Sequence, residues 1–300
     1  MKRIVLYLCT ALVWFATLPA VVAQQAKKSS CTVNVATFNL RMDTPKDGVN
    51  AWPNRKEMVK GLIRFHDFDI FGTQEGFKHQ LDNILELGNY AYIGIGRDDG
   101  KEAGEHSAIF YKTDRFEVLD KGNFWFSETP DIPGKGWDAI CCNRICSWGK
   151  FRDKVSGKIF FFFNSHYDHQ GKVARRESSH LLLKKIREIA GEESIIFATG
   201  DFNAVPTDEP ITTLAADGLL LDSYTRTETP RYGTDGTFSS FQLDAPMKNR
   251  IDYIWVTQPI TVTKYAVLND MQYGRFPSDH FPVMIQAEFK TSDKQSIEFR

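Results

Sequence analysis

Beyond about residue 30 the chain has no internal repeat, low-complexity tract or Gly/Ser linker. That excludes a solenoid and a string of tethered modules. After the first 23 residues no apolar run is long enough to span a bilayer. There is no Lys/Arg run or basic arm suited to a long duplex, and the formal net charge is −1. Such a chain has no global attraction for polyanions, which argues against extended, non-specific nucleic-acid binding and leaves room only for a local basic groove. Cysteine is sparse, at five residues, and the spacing in "AICCNRICSW" matches no strong zinc pattern.

What is present fits a soluble globular protein. Three hundred residues, 42% hydrophobic and 25% charged, can bury a sizeable core. The N-terminus stands apart: Lys2 and Arg3, an apolar run, then Val21-Val22-Ala23 and "QQAKKSS". This pattern predicts a signal peptide over residues 1–23, cleaved after Ala23, and a flexible segment over 24–31. The expected location is secreted or periplasmic, with cell-envelope association as a variant. Lys27 and Lys28 just before Cys31 argue against a lipoprotein. Cleavage removes Lys2, Arg3 and no acid, so the mature net charge is −3. Cys31, Cys141, Cys142 and Cys146 then remain in a disulfide-permitting compartment. A local bridge, a bridge to Cys31 and free buried thiols all stay open.

Strand-like and helix-like segments alternate along the chain. Strands are expected at "TVNVATFNL" (32–40), "FDIFGTQE" (68–75), "HSAIFYK", "FEVLDKGNFWFS", "KIFFFFNSH" (158–166), "SIIFATGD", "NRIDYIWVT" and "HFPVMIQAEF". Helices are expected at 53–67, with Met58, Leu62 and Phe65 at helical spacing, at 76–88, closed by Gly88, and at 172–191, with Leu181, Leu182, Ile186 and Ile189 on one face. One α/β domain over 32–290, with two packed sheets flanked by helices and a tail over 291–300, fits better than two domains.

Polar residues collect at the strand ends: Asn39, Glu75, His166, Asp201 with Asn203, Asp252, and Asp279 with His280. One such residue is ordinary turn chemistry. Six such places imply that the ends converge, and buried carboxylates need partners or a metal. Hard oxygen donors suit Mg²⁺, with Mn²⁺ or Ca²⁺ as alternatives, rather than zinc. A divalent cation among carboxylates, with imidazoles nearby, suits hydrolysis of a phosphate ester.

The segments "ATFNLR", "GTQEG", "NSHYDH", "GDFNAVP", "RIDYIWV" and "SDHFPV", in this order, resemble the endonuclease/exonuclease/phosphatase superfamily, and secreted bacterial members in particular. The resemblance spans about residues 32–290 and implies a four-layer α/β sandwich with its site at one edge of two sheets. It implies that Glu75 is the main metal ligand, with Asn39 and Asp279 also at the metal site. It further implies that Asp201 orients or activates the attacking water beside Asn203. His280 would meet the scissile phosphate with Asp252 as its carboxylate partner, and His166 would be the second phosphate-contacting histidine. Glu105 in "GEHSAIFYK" stands where a glutamate pairs with that second histidine, and Arg144 where an arginine contacts phosphate.

Arg41 replaces the acid that the abasic-site enzymes carry two residues after the first asparagine. Asp168 and His169 either reach the substrate or only shape their loop. Trp125, Trp137 and Trp148 form either a specificity wall or a core strand with a hydrophobic loop. His66, His79, His106 and His180 read as surface or core residues. The expected activity is metal-dependent hydrolysis of a phosphodiester, on a small or lipid-linked phosphate or on nucleic acid. A non-catalytic binder of a phosphorylated ligand or glycan is the rival of another class.

Overall fold

In a computed structural model, which describes residues 32–289, twelve strands and five α-helices alternate. The predicted signal peptide, the segment 24–31 with Cys31, and the tail 291–300 lie outside the described residues. In chain order the strands are β1 (Thr32–Asn39), β2 (Ile70–Gln74), β3 (Tyr90–Ile93), β4 (Ile109–Lys112), β5 (Phe116–Trp125) and β6 (Ile145–Asp153). They continue with β7 (Ile159–His166), β8 (Ile196–Asp201), β9 (Leu221–Asp222), β10 (Asp252–Val256), β11 (Ile260–Val267) and β12 (Val283–Phe289). The helices are α1 (Trp52–Phe65), α2 (Lys78–Leu85), α3 (Lys172–Ile189), α4 (Glu209–Asp217) and α5 (Ser223–Arg226). No helix among the described residues is long and apolar enough to cross a membrane.

The strands form two six-stranded mixed sheets, ordered β11-β12-β1-β2-β4-β3 and β5-β6-β7-β8-β10-β9. β1–β2 and β7–β8 are parallel, and these central strands are buried on both faces. That is why they read as continuous apolar runs. In β7, Phe160 and Phe162 enter the core between the sheets, while Phe161 and Phe163 face the core under the helices. In β1, Val33 and Val35 face the other sheet, and Ala36 and Phe38 pack with α1 and α2. The result is four layers, with α1 and α2 outside the first sheet and α3 and α4 outside the second.

Several predicted details change. The buried face of α1 is Trp52, Arg55, Val59, Leu62 and Ile63, whereas Phe65 is 82% exposed. Helix α2 stops at Leu85, and Gly88 (φ 84°) belongs to the turn that follows. Strands β3, β6, β9 and β11 and helices α4 and α5 lie outside the expected elements. Cys141 and Cys142 are bridged to each other, and Cys146 is a free buried thiol. Trp125 is buried, Trp148 packs against Gly122 and Trp137 adjoins the helix-side core, so the tryptophans are core residues.

Candidate active site

Register brings the polar strand ends together. In the second sheet His166 pairs with Asp201 and Asp201 with Asp252, so the three lie in one row. In the first sheet β1 and β2 end side by side at Asn39 and Gln74, placing Glu75 next in line. The Asp279-His280 pair immediately precedes β12, which lies beside β1. Gly200, at φ 156°, makes the approach possible: a Cβ there would meet the Ser165 carbonyl oxygen at 2.2 Å.

A polar lock sits between the sheets just behind this row. Gln74 Nε2 donates to Thr37 Oγ1 (3.0 Å) and Asn164 Oδ1 (2.7 Å). Asn164 Nδ2 donates to the carbonyls of Thr73 and Ala108, and Thr199 Oγ1 donates to Asn164 Oδ1 (3.0 Å). Gly72 leaves room for it, since a Cβ there would meet Asn164 Oδ1 at 2.2 Å.

In front of the lock lies a cleft of about 550 Å³. Asn39 Nδ2 bridges two carboxylates, donating to Glu75 Oε1 (3.1 Å) and Asp201 Oδ2 (2.9 Å). Glu75 Oε2 accepts from the Met42 N–H (3.1 Å), and Asp201 Oδ1 accepts from the Asn203 N–H (2.9 Å). Asp201 Oδ2 lies 3.8 Å from His280 Nε2 and 3.7 Å from His166 Nε2. His280 Nδ1 meets Asp252 Oδ2 at 2.9 Å. Ser278 Oγ donates to the Asn39 carbonyl (2.7 Å), tying the Asp279-His280 turn to the end of β1. Asn203 Nδ2 donates to the Tyr167 carbonyl (3.0 Å). All ten residues singled out from sequence lie in or directly behind this one cleft.

Two pairings differ from expectation. Glu105 is held chiefly by Arg97, whose Nη1 donates to Glu105 Oε2 at 2.5 Å. His166 lies 3.8 Å from Glu105 and instead takes a hydrogen bond from Arg144 Nη1 (2.9 Å). Arg97 went unnoticed in the sequence because a lone arginine in "GRDDG" reads as turn chemistry. Arg41, read as a mere departure, is in the cleft: it pairs with Asp47 and lies 3.9 Å from both Glu75 and Asp279. His169 also lines the cleft and accepts from Arg144 Nη2 (2.8 Å), whereas Asp168 caps its own loop through the N–H groups of Gln170 and Gly171. His66 and His79 pair with Asp270 and Asp43, His180 is exposed and His106 is buried.

Charge distribution splits the titrating groups. Burial, and then the Asp252 charge, push Asp201 up to about 7. Burial alone would lower His280, but Asp252 and Asp201 outweigh it and hold it well above the ordinary histidine range. Burial, then Arg144 and Arg97, keep His166 well below that range and neutral. Burial alone would raise Glu75, yet His280, Asn39 and the Met42 N–H outweigh it and hold it low. Among the described residues, five of the nine non-glycine residues with positive φ line the cleft: Arg41, Glu75, Asn203, Ser240 and Phe241. Backbone strain is thus concentrated where side chains must be aimed.

The donor set fits a hard divalent cation. Glu75, Asn39 and Asp279 offer oxygens, and the ligand atoms of Glu75, His166 and Asp201 lie within 4.8 Å of one another. A family model for the endonuclease/exonuclease/phosphatase family matches residues 36–280. A solved endonuclease/exonuclease/phosphatase family protein from Bacteroides thetaiotaomicron is 44% identical, with a TM-score of 0.84, over 87% of this chain and 99% of that one. A mannosyl-6-phosphatase from the same organism is 45% identical, with a TM-score of 0.82, over 86% and 100%. The CCR4-Not complex 3′-5′-exoribonuclease subunit Ccr4 from Aspergillus niger is 25% identical over 82% of this chain. The chain spans about half the length of the curated relatives it matches, 48% in that case.

Proposed function

The chain belongs to the endonuclease/exonuclease/phosphatase family, and on that premise we propose that it hydrolyses phosphate monoesters of small sugar-like alcohols with Mg²⁺ as cofactor. The family relation supports a hydrolase of phosphoester bonds that uses a divalent metal. The observation that carries the reading is the buried Asp201 carboxylate, whose Oδ2 lies 3.7 Å from His166 Nε2 and 3.8 Å from His280 Nε2. The finer substrate class is supported by the similarity to a mannosyl-6-phosphatase along nearly the whole of both chains. A cleft of about 550 Å³ and a negative net charge also favour a small ester over a polyanion. This reading puts a monoester in place of the diester expected from sequence.

In this mechanism both oxygens of Asp201 are oriented by donors from Asn39 and Asn203. Its carboxylate takes the proton of the attacking water, a task suited to a group near neutrality, as the P–O bond to the leaving oxygen breaks in line and that oxygen takes up a proton from solvent to leave as the alcohol. His280, kept cationic by Asp252, donates to a non-bridging phosphate oxygen. His166 and Arg144 contact a second oxygen. Glu75, Asn39 and Asp279 would hold the cation, which when bound neutralises phosphate and leaving-group oxygens. Export of the chain remains part of the proposal. It rests on residues 1–23, and the Cys141–Cys142 bridge suits an oxidising compartment.

Phosphate release from sugar 6-phosphates, with bis-p-nitrophenyl phosphate and an oligoribonucleotide alongside, tests the reading. Release that needs Mg²⁺ and stops with EDTA is expected from the sugar phosphates. Turnover of the oligoribonucleotide alone would favour the exonuclease reading that the Ccr4 similarity suggests. EDTA-resistant activity would sink the metal mechanism.

A further inference from the structure

The cleft contains a second buried guanidinium beyond Arg144, and no step above uses it. Arg97 is 8% exposed and Arg144 5% exposed, and both line the cleft. Among the described residues the Arg97 guanidinium donates hydrogen bonds through Nη1 alone, to Glu105, and its buried Nε makes none, with the Asp98 carboxylate 3.9 Å away. The buried Nε of Arg144 also makes no hydrogen bond and lies 3.6 Å from Asp168 Oδ2. Buried donors of this kind are costly unless a ligand takes them up.

The backbone of Arg97 is fixed on three sides. Its carbonyl accepts from Trp125 Nε1 (2.7 Å) and Asn143 Nδ2 (3.2 Å), and its N–H donates to the Glu105 carbonyl (3.0 Å). Asn143 directly precedes Arg144, so one residue ties the backbone of Arg97 to that of Arg144. Side chains aimed from so rigid a base are pre-organised for a ligand rather than for bulk solvent. A phosphodiester presents two non-bridging oxygens and one negative charge. A monoester presents three, with a second charge near neutral pH. His280 and the His166–Arg144 pair serve two of them in the mechanism above.

We propose that Arg97 is the specificity-determining residue of the site, donating with Arg144 to the third oxygen of a dianionic phosphate and so selecting monoesters over diesters. This inference rests on the phosphoesterase reading above. Glu105 sets the reach of Arg97 by holding Nη1, which leaves the remaining N–H groups for the phosphate.

The test compares wild type, Arg97→Gln and Arg97→Lys on p-nitrophenyl phosphate and bis-p-nitrophenyl phosphate. Calorimetric titration with inorganic phosphate and with dimethyl phosphate runs beside it. In Arg97→Gln, kcat/KM for the monoester should fall by about 30- to 100-fold, the scale of one or two charge-assisted bonds. The diester should change by less than about threefold, and Arg97→Lys should fall between wild type and Arg97→Gln on the monoester. Inorganic phosphate binding should weaken by a similar factor and dimethyl phosphate binding should not. Equal losses on both esters in both variants, or no loss on either, would overturn the inference. If wild type hydrolyses neither ester, the functional reading fails, and the titrations alone decide the role of Arg97. Wild type that binds phosphate no better than dimethyl phosphate would overturn it outright.

Discussion

The layer between the two sheets is filled differently at its two ends. At one end Phe160 is ringed by Phe116, Phe151, Phe197 and Phe289, with centroids 5.6–5.8 Å apart. At the other end the same strands carry the Gln74–Asn164–Thr199 lock and then His166 and Asp201. Burial of aromatic surface stabilises the first end without directional demands. The second end buries polar groups whose desolvation is offset only if every bond is made. β7 and β8 run through both ends, so the apolar end supplies the rigidity that the polar end uses. Stability and chemistry should therefore separate along one pair of strands.

Four experiments break or sharpen that contrast. The largest effect is expected from His280→Asn, which keeps a donor toward Asp252 but loses the cation facing phosphate. Turnover should fall about 10³-fold, with the melting temperature nearly unchanged. Phe160→Ala should do the reverse, costing about 3–5 kcal/mol in denaturant unfolding while kcat/KM of the folded protein stays within a few-fold. A comparable loss of activity would show that the two ends are not separable.

Asn164→Leu probes the boundary. It removes one hydrogen-bond partner each from Gln74, Thr199 and the Thr73 and Ala108 carbonyls, at a cost of about 2–3 kcal/mol. Because Gln74 adjoins Glu75, the apparent affinity for Mg²⁺ should weaken as well, which a metal titration of activity would read. Asp252→Asn should have a smaller effect on rate than His280→Asn, about 10- to 100-fold, but a diagnostic one on pH. In the proposed mechanism Asp201 must be deprotonated, and burial and then Asp252 hold it at about 7, so wild-type kcat/KM is expected to rise with pH through that region. Removing the Asp252 charge lowers Asp201 and also removes what keeps His280 charged. Both limbs of the pH profile should move to lower pH. A shift of one limb only would contradict the shared role of Asp252.

The same contrast explains what could be read from sequence. Strand β7 was legible because five consecutive apolar residues, Ile159 to Phe163, leave little alternative to a doubly buried strand. The meeting of the polar strand ends in one cleft was legible because acids, amides and imidazoles at strand ends are expensive unless they converge. Arg97 was not, since its role depends on Trp125 and Asn143 holding its backbone from distant segments. Phe65 was misplaced because helical spacing alone cannot tell the buried face of α1 from its rim, which Arg55 settles by donating to the Leu40, Asn50 and Pro277 carbonyls. The pairing of Cys141 with Cys142 is likewise a property of the folded loop.

The central claim is that the polar end of the sandwich is a hydrolytic centre built around Asp201. Its most direct test is Asp201→Asn, with phosphate release and melting temperature measured on the same preparation. The amide keeps the side chain's shape and removes the proton acceptor. A loss of at least about 10³-fold in turnover with an unchanged or raised melting temperature is predicted. Near-normal turnover in a folded variant would contradict it.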